Sequence, residues 1–147
     1  MNINVLCIGK MKEAYWRDAS KEYEKRLSKY CSLTITEIKE GVSPEKEGEE
    51  IIKRLKDDDF VILLDMKGES LTSEALAHEI ERLGIEGKSK VVVIIGGSEG
   101  VSQEVLRRSN LQVSFSTLTF PHQMIRLFLL EQIYRAFKII KGETYHK

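Results

Sequence analysis

At 147 residues, with 41% hydrophobic and 31% charged side chains, the chain has the size and balance of one globular domain with a real hydrophobic core. Lys and Arg cancel Asp and Glu to a formal net charge of zero, and no apolar run approaches the ~20 residues that span a bilayer, so composition argues against a helical membrane protein. Two cysteines and three histidines far from them in sequence make neither a disulfide framework nor a zinc-ligand spacing, and MNINVLCIGK enters an apolar run with no basic leader; the expectation is a cytoplasmic protein with no metal and no membrane partner.

Apolar runs and helical patterns alternate along the chain. Ile3 to Ile8 reads as a first strand closed by Gly9. Residues 12–29 follow with Ala14, Tyr15, Ala19, Tyr23 and Leu27 at helical spacing. Leu33 to Ile38 alternates apolar and polar, as an edge strand does. Ser43-Pro44-Glu45 is a helix start, with a capping Ser, Pro at the first helical position and an acid in the first turn. Residues 60–64 (FVILL) form a third strand ending at Asp65, residues 71–83 a helix with Leu76, Ile80 and Leu83 on one side, and residues 91–95 (VVVII) a fourth strand. Both strands are continuously apolar, as parallel strands covered on two faces are. Ser102 caps a short helix to about Arg108, and Val113 to Ser116 is a weak fifth strand. The pattern predicts a single α/β domain over 1–147, a mainly parallel sheet with helices on both faces.

In such sheets ligands sit at the carboxyl ends of the strands, where the strand order reverses. Three places qualify: Leu64-Asp65, Gly96-Gly97 and the segment after Ser116. The loop GGSEG after the fourth strand matches neither G-x-G-x-x-G nor a P-loop, and its Glu99 would repel a polyphosphate. Bare glycine backbone there suits a tight turn or a phosphate-free ligand. A receiver module would need an acidic pair after the first strand, where Gly9-Lys10-Met11 stands. A nucleotide-binding oxidoreductase would need its fingerprint there, which is also absent.

The last helical pattern, 124–140, is apolar on more than one face, which predicts burial on two sides and a homodimer interface. Arg126 within it must be paired or face a cleft. Residues 101–147 carry seven Lys or Arg against three acids, a hint of an anionic partner such as nucleic acid. His78, among Glu74, Glu79 and Glu81, reads as solvated.

The segment FSTLTFPHQMIRLFLLEQIYRAFKIIKGETYHK, with VIIGGSEG and the opening CIGK, closely resembles the ribosomal large subunit methyltransferase H family of SPOUT methyltransferases, over essentially the whole chain. The resemblance implies a homodimer with a C-terminal trefoil knot that uses S-adenosylmethionine to methylate N3 of a pseudouridine in the 23S rRNA of assembled ribosomes. It implies cofactor contacts at Leu64, Gly96, Phe115, Ser116, Thr117, Leu118, Thr119 and Phe120. Arg126 and the terminal Tyr145, His146 and Lys147 are candidates to hold the RNA, since an aromatic, an imidazole and a cation can stack on a base and hold phosphate. Arg126, His122 and His146 are candidates for catalysis, with the base assigned to none of them. A non-enzymatic ribosome-binding protein of the same fold stays open as the alternative.

Overall fold

Strand and helix alternate strictly in the computed structural model, which describes residues 1–147: β1 (Asn2–Ile8), α1 (Ala14–Leu27), β2 (Ser32–Ile38), α2 (Pro44–Lys53), β3 (Phe60–Ser70), α3 (Ser73–Ile85), β4 (Lys90–Ile95), α4 (Gln103–Arg108), β5 (Leu111–Ser114) and α5 (His122–Ile140). All neighbouring strands pair in parallel, in the order β2-β1-β4-β3-β5. β2 is an edge, as its alternating pattern requires, and the apolar β4 sits in the middle.

The two-residue period of a strand sends alternate side chains to opposite faces. Ile3, Val5, Val91, Val93 and Ile62 meet α1, α3 and α5 in a core of 18 buried residues. Leu6, Leu63, Val92 and Ile94 face α2 and α4 in a smaller core of nine. Three of the five helices begin on a side-chain cap: Ser43, Thr72 and Ser102 accept from Lys46, Ala75 and Val105 N–H, and Pro44 opens α2.

Four expectations need correction. β3 does not end at Asp65; Leu64 pairs with Val113, and the ladder resumes only at Glu69, leaving residues 65–68 bulged out of it. β5 ends at Ser114 and α5 begins at His122, so the strand-to-helix connection is displaced by about two residues. Tyr15 is exposed, and α1 packs through Ser20 and Leu27. The apolar breadth of α5 is largely consumed within one chain: α1 and α3 both pack on it, and Leu129, Leu130, Ile133, Ala136 and Phe137 are buried there. Of the apolar side chains of α5 only Phe128 stays exposed, at 38% and edge-on to Phe120; Leu118, in the connection before the helix, is 68% exposed.

Candidate functional site

A cleft of about 230 Å³ opens at the carboxyl ends of β3, β4 and β5. Leu64, where the β3 ladder breaks, Ile95, the last residue of β4, and Val113, next to the end of β5, line it. The β4–α4 loop, the bulge residues Asp65 and Met66, and the segment after β5 add to its wall. The α5 start contributes His122 and Ile125. The lining is mostly apolar, with main chain laid bare at the glycines. One carboxylate, Asp65, lines it, and no lysine or arginine does.

Of the residues singled out for the cofactor, Leu64, Gly96, Phe115, Leu118, Thr119 and Phe120 line this cleft. Ser116 lines a neighbouring groove instead, and its Oγ accepts the Leu118 N–H at 2.9 Å. Thr117 is exposed and lines neither. Asp65, Met66, Val101 and Ile125 belong to the cleft without having been singled out for it; only Asp65 had a signal, its place at a strand end.

The glycine loop has reasons internal to the chain. Gly100 sits at φ +87° and returns its N–H to Gly97 at 3.1 Å, closing a tight turn. A side chain on Gly96 would meet Val101 Cγ1 at 2.5 Å, and one on Gly97 would meet Glu47 Oε1 at 2.9 Å. Glu47, on α2, is buried and accepts the Gly41 N–H at 3.1 Å. The loop therefore lies on a buried carboxylate. Helical periodicity alone gave no sign of this role for Glu47.

A second cavity, about 210 Å³, adjoins the first and shares Ile95, Ser98 and His122 with it. It lies between the ends of β1 and β4 and includes Arg126 and Gln123. Arg126 is both paired and at a cleft: its side chain is 11% exposed, and Nη1 donates to Glu37 Oε2 at 2.7 Å. Burial would raise the Glu37 carboxyl, but the hydrogen bonds from Arg126 and the Met11 N–H outweigh it and hold the acid below its ordinary value. Arg126 Nε and Gln123 Oε1 are buried with no partner. Burial pushes the Cys7 thiol in the same wall up to about 11, which leaves it a packing group rather than a nucleophile.

Tyr145 and His146 are pinned to their own chain rather than frayed. Tyr145 donates to Glu131 Oε2 at 2.8 Å and packs edge-on against Tyr134, with the Arg135 guanidinium over its ring. Burial first, then the bond to Glu131, raises the Tyr145 hydroxyl well above its ordinary value. His146 lies 3.0 Å from Arg135 through Nδ1 and 2.6 Å from Glu74 through Nε2. None of Tyr145, His146 and Lys147 lines either cavity of this chain. The structure thus brings His122 and Arg126 together and leaves His146 apart. No group of three or more His, Cys, Asp or Glu can hold a metal ion, and no helix is long and apolar enough to cross a membrane.

Comparison with known proteins places this architecture. Residues 1–146 match the family described as "Predicted SPOUT methyltransferase". The chain is 50% identical to the ribosomal RNA large subunit methyltransferase H of Clostridium beijerinckii and 48% identical to that of Clostridium novyi, with 100% of both chains covered in each case. A solved structure described as a probable methylase family protein from Haemophilus influenzae superposes with a TM-score of 0.61 over 99% of this chain and 70% of that one, at 14% identity, a likeness of fold. Full-length identity near one half, a family match across the chain and a strand-end cleft of this form agree: the chain belongs to the SPOUT methyltransferases, in the ribosomal RNA large subunit methyltransferase H family.

Proposed function

We propose that the protein transfers a methyl group from S-adenosylmethionine to N3 of a pseudouridine in 23S rRNA of assembled ribosomes, as a cytoplasmic homodimer whose C-terminal segment is knotted. The observation that carries the reading is the chemistry of the first cleft: apolar walls, bare main chain, one carboxylate at Asp65 and no cation. That set suits a ligand with a flat apolar base and a positive sulfonium and no phosphate. The cofactor would lie against Leu64, Gly96 and Phe115 to Phe120, with the loop backbone free to bond the adenine edge. When bound, it supplies an electrophilic methyl group.

The residues of the chain have a modest task. The N3 imide of pseudouridine is weakly acidic, so alignment behind the methyl and electrostatic help lower the barrier. His122 stands on the wall between the two cavities, where it can hold or take a proton from an acceptor placed there. Tyr145, His146 and Lys147 line neither of the two cavities in their own chain, which supports their acting on a partner's cleft.

Transfer of tritium from labelled S-adenosylmethionine to ribosomes, against free 23S rRNA, tests the reading. Label in ribosomes, at the pseudouridine N3, is the expected result. Calorimetric binding of S-adenosylmethionine without transfer to either RNA would sink the acceptor assignment, and no binding at all would sink the enzyme.

A further inference from the structure

The second cavity sits where the sheet order reverses: β1 is followed by β2 on one side, whereas the chain leaving β4 arrives at β5 on the other. Connections that part in opposite directions leave a crevice at the strand ends. Its charge is unlike that of its neighbour. Lys10, Lys12 and Arg126 line it, against Glu40 in the wall and Glu37 bound to Arg126. Lys10 and Lys12 are exposed and form no ion pair. Below them lie one buried donor, Arg126 Nε, and one buried acceptor, Gln123 Oε1, neither with a partner. Orphaned polar atoms of this kind are costly unless a ligand completes them.

We propose that this crevice binds a ribose-phosphate unit of the RNA substrate, next to the nucleotide whose base enters the first cleft. This rests on the reading of the first cleft as the methyl-donor site. A phosphate oxygen accepts from Arg126 Nε and from the two ammonium groups, and a ribose 2′-hydroxyl donates to Gln123 Oε1, so one ligand satisfies both orphans. Three residues beyond Lys12, Tyr15 is 64% exposed and lies 5.2 Å from the Trp16 ring, offering an aromatic surface to a neighbouring unstacked base. The shared wall of Ile95, Ser98 and His122 sets the two cavities side by side, as adjoining nucleotide and cofactor require.

The α-carboxylate of the methyl donor carries related anionic chemistry, and the test separates the two sources. In Lys10→Ala/Lys12→Ala, which removes exposed and unpaired cations, S-adenosylmethionine affinity in calorimetry should stay within about twofold of wild type. The KM for ribosomes should rise at least about tenfold, and the logarithmic salt dependence of binding should flatten by about one to two units. Lost cofactor affinity would assign the crevice to the donor's carboxylate and overturn the proposal, as would an unchanged KM and salt slope. Anisotropy of a labelled single-stranded oligoribonucleotide decides independently of catalysis. If wild type transfers no methyl group, the functional reading fails, yet oligonucleotide binding lost in the double variant still supports the crevice, and equal binding by both overturns it.

Discussion

A single methyl at residue 96 separates two reasons for a glycine. Gly96→Ala would drive its Cβ into Val101 Cγ1, 2.5 Å away, and overpacking of this kind costs about 1–3 kcal/mol. The glycine was expected to admit a ligand; the packing adds a demand from the loop itself. Gly96→Ala should therefore lower both the melting temperature and the affinity for S-adenosylmethionine. Gly96→Ala/Val101→Ala should recover part of the melting temperature, and because Val101 also lines the cleft, calorimetry on it is read against Val101→Ala alone. Equal affinity in these two variants would show that residue 96 never meets the cofactor. Glu37 makes a pH-dependent prediction. Its folded carboxyl titrates below the unfolded value, so its contribution is complete above about pH 4.3 and is lost as pH falls through the lower folded value. Glu37→Gln should cost about 1 kcal/mol at neutral pH, discounted for the side of Glu37 that water reaches, and the gap to wild type in urea titrations should close in acid.

At the scale of elements, neighbouring residues on α5 have opposite fates. Leu129 is 3% exposed in the larger core, whereas Phe128 stands at the surface. Leu129→Ala should destabilise the chain by about 2–5 kcal/mol in chemical denaturation, and a double Asp replacement at both positions would unfold it rather than report on association. Phe128→Asp is the cleaner probe: circular dichroism should be unchanged while sedimentation shifts from dimer to monomer. An intact dimer would place the interface elsewhere. Most element identities were legible because their signals are local. Ser43-Pro44 and Ser102 mark helix starts through their own hydrogen bonds, and the unbroken VVVII run marks a central strand. The β3 bulge was not legible, since FVILL simply stops while the backbone goes on to pair at Glu69 through contacts made by a strand distant in sequence. Nor was the cover on α5, because an apolar helix looks the same whether its neighbours come from one chain or two.

For the whole molecule, the sequence pointed to the strand ends, where the cavities do open, but could not say which ends share one. Lys10 and Gln123 lie more than a hundred residues apart and share a cavity only in the folded chain, where the start of α5 comes beside the end of β1. The C-terminal tail raises the corresponding question between chains. Deleting Tyr145 to Lys147 removes the bonds to Glu131 and Glu74, so a small loss of stability is expected. Cofactor affinity and dimerisation should remain near wild type, while methyl transfer to ribosomes falls at least about tenfold, roughly 1.4 kcal/mol of transition-state stabilisation. Mixing tail-deleted subunits with intact-tail subunits impaired at Gly96 should restore part of the activity if each cleft uses its partner's tail. Full activity in the simple deletion would reduce the tail to a structural clasp.

The unequal cover of the sheet has a dynamic consequence. The side held by α2 and α4 has half as many buried core residues as the other, so it should open first, below the free energy of global unfolding. That side also supports the glycine loop: Gly97 rests on Glu47, and Gly48 packs against Ser102 at the start of α4. A ligand seated on the loop would therefore brace a patch of fold it does not touch. At a hundred times its dissociation constant such a ligand adds about 2.7 kcal/mol against any opening that destroys its site. In hydrogen exchange, S-adenosylmethionine should slow the amides of α2 and α4 by up to about a hundredfold and leave those of α3 that open only globally to follow the whole molecule. The thinner core then acts as the hinge through which cofactor occupancy is felt across the domain.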